Sequence, residues 1–176
     1  MMLGFNHGPK LFNFCLRLCS VLLLTLMLGW VGQAKSGSEA QGLQVGDVFP
    51  DIDVQDQFEQ TWSVPAQTQR VYFATNRAAG DWMTELLSGQ PAGLLASRQS
   101  VYLADLSGMP GFVSTMFALP SLREQSYKVG VVLDDGKLVH WPEDDEAMIV
   151  FTLEQGRITA IERIDTQQKL KASLGL

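Results

Sequence analysis

The sequence predicts an α/β domain of three layers, with a central mixed β-sheet and an N-terminal β-hairpin. Two apolar strands, at residues 71–74 and 100–105, are joined by a stretch with helical periodicity. This is the pattern of a right-handed βαβ crossover between parallel strands. Later in the chain, glycine-containing turns separate alternating apolar segments, which is typical of β-hairpins. These features together favour a mixed sheet.

Residues 1–34 are predicted to be a signal peptide. Lys10 and Arg17 supply positive charge, and the apolar run at 21–31 is followed by the small residues of a cleavage site at 32–34. The run has 11 residues, whereas a bilayer-spanning helix needs about 20. The pattern predicts a periplasmic or secreted protein with no membrane attachment after signal cleavage, although an uncleaved anchor is the alternative.

The rest of the chain is predicted to consist of a disordered leader at residues 35–42 and one domain at 43–176. All 19 acidic residues and 11 of the 13 basic ones follow residue 34, so this part carries a net charge of −8. Nucleic acids and anionic membrane surfaces both require clustered lysine and arginine. The composition therefore argues against either as a partner.

Cysteine is confined to the predicted signal peptide. Cys15 and Cys19 are the only two cysteines in the sequence. After cleavage the protein would have no thiol, no disulfide and no cysteine-ligated metal.

The domain is expected to open with a hairpin. Ile52 and Val54 alternate with polar residues, which predicts a strand, and a turn at 56–60 should return the chain to a second strand near Trp62. Three acidic residues nearby raise the possibility of a metal site, but no glycine-containing calcium loop follows them. A solvated strand face is the favoured interpretation for Asp51, Asp53 and Asp56.

The crossover helix is predicted to begin near Asp81, which is a good N-cap residue. Its apolar stripe consists of Trp82, Met83, Leu86 and Leu87. After the second apolar strand, residues 112–119 predict one or two helical turns, and Pro120 should begin another short helix. We interpret the Met and Phe side chains of 112–119 as core or lid residues in preference to a cofactor pocket.

The last third is predicted to contain two hairpins and a helix. The first pairs residues 128–133 with 138–141 around an Asp-Gly turn, and the second pairs 148–153 with 158–164. Asp165 or Thr166 should then cap a terminal helix that ends near Leu174. Its inward-facing residues are expected to be Leu170, Ala172 and Leu174.

Four segments carry a resemblance to a known group of proteins. Residues 45–51 (VGDVFPD) resemble the opening of peroxiredoxin-like and thioredoxin-like exported proteins, and 72–75 (YFAT) resembles the strand that leads into their redox loop. Residues 132–136 and 149–158 look like two consecutive strand–turn signatures of the YtfJ-like periplasmic family. The resemblance implies a thioredoxin-like fold over about residues 43–174.

The departures from that group concern its redox site. Arg77-Ala78-Ala79-Gly80 stands where the resemblance implies a Cys-x-x-Cys pair, and Ala147 stands where it implies a cis-proline. Thiol–disulfide exchange requires a thiolate, which neither Arg nor Gly provides. Because a cis bond before a residue other than proline costs about 2.5–4 kcal/mol, we expect a trans peptide at this position.

The degenerate redox loop is also the one candidate binding site. Thr75, Asn76 and Arg77 precede a predicted helix N-terminus, where free N–H groups, the helix dipole and a guanidinium would together favour an anion. Asp81 belongs to the same site but competes with the ligand, because a carboxylate cap would occupy the same donors.

The sequence gives little support for other catalytic, metal-binding or phosphate-binding sites. His140 is a lone histidine with no metal-ligand spacing, so an edge-strand residue is favoured over a base or a ligand. The acidic run at 143–146 is interpreted as a solvated loop, with calcium binding as a minor option. No serine-hydrolase elbow and no phosphate-binding glycine loop is present. The sequence predicts no metal and no cofactor.

Three functional hypotheses follow. The first is a redox-inactive binding or accessory module of the cell envelope, whose partner would be an unknown protein or a small anionic ligand. The second is a non-thiol enzyme that uses Asn76, Arg77 and either Asp81 or His140. The third is a structural component of an envelope assembly.

Overall fold

The computed structural model describes residues 42–176. The predicted signal peptide at 1–34 and the leader residues 35–41 lie outside the described residues. No helix within the described part is both long and apolar enough to cross a membrane.

Seven strands form a single mixed sheet. They are β1 (Val54–Asp56), β2 (Thr61–Trp62), β3 (Arg70–Ala74), β4 (Ser100–Asp105), β5 (Gly130–Val132), β6 (Met148–Glu154) and β7 (Arg157–Ile164). Their spatial order is β2-β1-β5-β4-β3-β6-β7. Strands β3, β4 and β5 run parallel, while β1, β2, β6 and β7 join by antiparallel pairing. The prediction of an α/β fold with a mixed sheet is thus confirmed.

The helical elements include the predicted crossover helix, the short helices after β4 and the terminal helix, and one 3₁₀ turn that was not predicted. They are α1 (Arg77–Leu87), α2 (Leu94–Ser97), α3 (Gly111–Val113), a π-helical segment (Ser114–Ala118), α4 (Leu119–Arg123), a 3₁₀ turn (Asp135–Leu138) and α5 (Gln167–Leu174). Helices α1 and α2 connect the parallel strands β3 and β4, which confirms the βαβ crossover.

After the exposed Arg70, strand β3 is apolar from Val71 to Ala74 because both of its faces are buried. Tyr72 and Ala74 pack in one buried cluster with α1, α2, α4 and α5, whereas Val71 and Phe73 pack in a second cluster on the opposite face. The sequence of a central strand that is covered on both faces is typically a continuous run of apolar residues. The second face is covered by irregular segments around Phe49 and the 3₁₀ turn, so the three layers are helices, sheet and irregular chain.

The predicted hairpin at 128–141 is wrong in its second half. β5 pairs with β4 on one side and β1 on the other, so no edge remains for a returning strand. The chain instead forms the 3₁₀ turn, which begins where the Asp134 carboxylate accepts a hydrogen bond from the Gly136 N–H at 3.0 Å. His140 therefore lies in an exposed turn and not in a strand.

The other two hairpins are confirmed. β6 and β7 pair through a turn in which Gln155 and Gly156 both adopt positive φ, as a tight hairpin turn requires. β1 and β2 pair with Val54 opposite Trp62.

Asp56, however, is 2 % exposed and does not belong to a solvated strand face. Burial acts to raise the pKa of Asp56, but hydrogen bonds from the Gln60 and Phe58 N–H groups and the ammonium of Lys128 outweigh it, so the pKa is lowered. The carboxylate organises the β1–β2 turn.

The terminal helix begins as predicted, because the Thr166 hydroxyl accepts from the Lys169 N–H at 3.4 Å. Leu170 and Leu174 are buried, but Ala172 is exposed. Two residues of helix correspond to about 200° of rotation, so a side chain midway between two inward-facing ones must point outward.

Gly130 provides a test of this packing. A Cβ at this position would lie 2.3 Å from the Trp62 ring and 2.5 Å from Leu103 Cδ2. We expect Gly130→Ala to lower the free energy of unfolding by about 1–3 kcal/mol through overpacking. Gly108→Ala, whose Cβ would meet nothing within 4 Å, is the matched control. Equal urea midpoints for the two variants would contradict the described packing.

Candidate functional site

A cleft of about 710 Å³ opens at the carboxyl ends of the parallel strands β3 and β4. This edge is where ligands bind in open α/β sheets. All four residues of the sequence-predicted site, Thr75, Asn76, Arg77 and Asp81, line this cleft. The structure therefore brings them together, although their individual roles differ from the expectation.

Helix α1 begins earlier than predicted, and its N-cap is Asn76 instead of Asp81. The Asn76 side-chain oxygen accepts from the Ala79 N–H at 2.8 Å, with an extended backbone at the cap. Asp81 lies one turn inside the helix, with its carboxylate 3.5 Å from Arg77 Nε. Both side chains of this i,i+4 pair are mostly exposed, so the pair contributes little to stability.

Thr75 and Asn76 tie the start of α1 to the segment before β6. The Thr75 hydroxyl donates to the Asp144 carbonyl at 2.7 Å and accepts from the Asp144 N–H at 3.0 Å. The Asn76 amide nitrogen donates to the carbonyls of Asp144 at 2.8 Å and Ala147 at 2.9 Å. With its oxygen capping α1, the Asn76 side chain is committed to the fold and not to a ligand.

The Asp144 side chain completes this arrangement. Its carboxylate accepts from the N–H groups of Glu146 at 2.9 Å and Ala147 at 2.8 Å, and both of its oxygens accept from the Arg163 guanidinium on β7. The Arg163 hydrogen bond, followed by that from the Glu146 N–H, lowers the pKa of Asp144. We call the set formed by Thr75, Asn76, Asp144, Ala147 and Arg163 the Asp144 junction.

The sequence interpretation missed the junction because it treated residues 143–146 as a solvated loop. An aspartate just before a strand can accept from the N–H groups two and three residues later, which is a local signal that was available. The bonds to Thr75 and Asn76 span about 70 residues and have no local signal. At Ala147 the expectation of a trans peptide is confirmed, since no described peptide bond is cis.

The charge of the cleft is predominantly negative. Its lining includes one guanidinium, that of Arg77, and five carboxylates, those of Asp81, Asp105, Asp135, Glu143 and Asp145. Because the arginine is itself paired with Asp81, this lining disfavours the small anion that the sequence suggested.

Of the groups proposed for a non-thiol enzyme, Asn76, Arg77 and Asp81 line the cleft together, but His140 is not beside them. Asn76 is fully hydrogen-bonded, and His140 does not line the cleft. Within residues 42–176 no three His, Cys, Asp or Glu side chains are placed to hold a metal ion.

One wall of the cleft is apolar, and its floor includes an aromatic side chain that carries a hydroxyl. Met109, Val113 and Phe117 form the wall, and Tyr102 on β4 forms part of the floor beneath Gly80. Burial raises the pKa of Tyr102, with smaller contributions from Tyr127 and Asp81, so its hydroxyl stays protonated. The cleft can therefore offer hydrogen bonding, negative charge and apolar contact, but no activated nucleophile is evident among its described residues.

No protein-family model matches the chain, and no curated protein matches it. Several solved structures do match the fold of the chain. A candidate protein disulfide isomerase from Bacteroides thetaiotaomicron has a TM-score of 0.51 and 11 % identity, covering 76 % of this chain and 87 % of its own. A peroxiredoxin-like protein from Aquifex aeolicus has a TM-score of 0.50 and 13 % identity, with coverages of 76 % and 87 %.

A candidate thiol:disulfide interchange protein DsbE from Chlorobium tepidum has a TM-score of 0.50 and 12 % identity, covering 76 % of this chain and 94 % of its own. The fold is thioredoxin-like. The sequence resemblance to thioredoxin-like proteins is thus confirmed at the level of the fold. At such low identities, the likeness carries no information about activity.

A substitution at Asn76 separates the two roles of this side chain. Asn76→Asp keeps an acceptor for the Ala79 N–H but removes both donor hydrogen bonds to the carbonyls of Asp144 and Ala147. We expect it to lower the free energy of unfolding by about 1–3 kcal/mol, although Asp caps helices as well as Asn does. Urea denaturation measures the difference. Unchanged stability would show that the donor bonds are not made.

A further prediction concerns how the contribution of Asp144 to stability depends on pH. Because the folded-state pKa of Asp144 is lowered, its carboxylate stabilises the fold above its unfolded-state pKa. That contribution is lost as the pH falls through the folded-state value. We therefore expect the stability gap between the parent protein and Asp144→Asn to be largest near pH 7 and to narrow below about pH 4. A gap that stays constant from neutral to acidic pH in thermal unfolding would contradict the ion pair.

Proposed function

We propose that the protein is an exported, thiol-independent binding or accessory module of the cell envelope that holds a partner in the cleft beside α1. The observation that carries this proposal is the Asp144 junction, which occupies the start of α1 with structural hydrogen bonds. The chain also has no cysteine after Cys19. A domain without a thiol cannot attack a disulfide.

Two further observations support the proposal. The signal-peptide pattern at residues 1–34 supports export to the periplasm or secretion. The strand–turn segments at 132–136 and 149–158 support a place near the YtfJ-like periplasmic family.

Two measurements test the function. The purified protein is expected to show no dithiol-dependent reduction of insulin, because no thiolate is available in the domain. Activity above that of a buffer control would contradict thiol independence.

A photo-crosslinking residue at Phe117, inside the cleft, is expected to capture a partner in the producing cell. The same residue at Glu162, which is exposed on β7, is the control. Capture from both positions alike, or from neither, would contradict a role for the cleft.

A further inference from the structure

An exposed apolar patch adjoins the cleft. Phe112, Met116 and Phe117 are 67 %, 66 % and 64 % exposed and lie within six consecutive residues. Single exposed apolar side chains are normal on a soluble protein, but a contiguous group of three large ones marks an interaction surface. Phe117 also lines the cleft, so the patch continues into it.

The π-helical segment sets how this patch is presented. The Leu119 N–H donates to the Ser114 carbonyl five residues earlier, which makes a wider turn than an α-helix has. Pro120 follows immediately, and a proline ring in an α-helix clashes with the carbonyl four residues before it. The wider turn relieves that clash, and such π-segments are frequent at functional sites. Ser114 and Leu119 hold the inner side of this segment in the domain, because both are buried.

A buried hydroxyl on the cleft floor has no hydrogen-bond partner among residues 42–176. Tyr102 is 1 % exposed and lines the cleft, and its hydroxyl makes no hydrogen bond to another described residue. No fully enclosed side-chain nitrogen or oxygen in the described part of the chain lacks a partner. The Tyr102 hydroxyl therefore has a small opening, which faces the cleft that Tyr102 lines, and a ligand group can bond to it there.

The negative charge of the cleft favours a cationic ligand. Five carboxylates from four separate segments line the cleft, against the one guanidinium of Arg77. A cation that enters this space would meet a predominantly negative field and the Tyr102 hydroxyl, while apolar groups beside it would meet the exposed phenylalanines.

Resting on the proposed function, we propose that the cleft and its patch bind a basic, apolar segment of a partner polypeptide. A lysine or arginine of that segment would lie over Tyr102 among the carboxylates of Asp81, Glu143 and Asp145. Its apolar side chains would pack on Phe112, Met116 and Phe117.

Fluorescence anisotropy with short labelled peptides tests the proposal on the purified full-chain protein. The probes are a lysine–leucine peptide, a version with glutamate in place of lysine, and a version with serine in place of leucine. We expect only the lysine–leucine peptide to bind well, and its affinity to fall as salt is raised.

Matched variants locate the site. The triple variant D81N/E143Q/D145N should weaken binding about tenfold, since each exposed ion pair contributes modestly. D51N/D53N/E162Q changes the net charge equally away from the cleft and should leave the affinity within about twofold. These six carboxylates are all exposed, so both proteins should fold.

Two further variants test the apolar wall and the floor. Phe117→Ser should weaken binding, whereas Phe58→Ser, at another exposed phenylalanine outside the cleft, should not. Tyr102→Phe, which removes only the hydroxyl, should weaken binding about threefold.

The outcomes separate this inference from the proposed function. Equal binding of the serine version, equal loss in both triple variants, or preference for the glutamate version would overturn the inference. If crosslinking at Phe117 still captures a partner, the proposed function stands without it. If neither peptide binding nor crosslinking occurs, both fail.

Discussion

The geometry of the cleft depends on the hydrogen bonds of a single aspartate. Asp144 joins the start of α1 through its backbone, the approach to β6 through its carboxylate, and β7 through Arg163. The sheet already pairs Ala74 at the end of β3 with Met148 at the start of β6, and the junction extends this connection beyond the sheet to the start of α1. The bonds are charge-assisted on the carboxylate side, which makes them stronger than neutral ones.

The junction also determines how the side chains at the start of α1 are used. In this structure the start of α1 meets the segment before the antiparallel strand β6. Asn76 bridges that meeting point with two hydrogen bonds, to the carbonyls of Asp144 and Ala147, and caps α1 with a third. Arg77, the residue that seemed most suited to bind an anion, is instead paired and exposed beside a group of carboxylates.

How much the sequence reveals depends on whether the decisive contacts are local. The apolar run of β3 and the Thr166 cap were predictable because periodicity and capping act over a few residues. The 128–141 hairpin failed because both edges of β5 are occupied by strands far away in sequence. Asn76 and Asp81 are equally good caps, and only the distant carbonyls of residues 144 and 147 favour Asn76. The acidic character of the cleft could not be predicted from the sequence for the same reason, since its carboxylates come from separate segments of the chain.

Amide hydrogen exchange at residues 144–147 tests the junction most directly. The N–H groups of Asp144 and Ala147 lie outside regular strands, yet each donates to an oxygen of the junction. They should therefore exchange at least about tenfold more slowly than an exposed amide that makes no such bond. Asn76→Asp should accelerate exchange at both amides. Fast exchange of Asp144 and Ala147 in the parent protein would contradict the account.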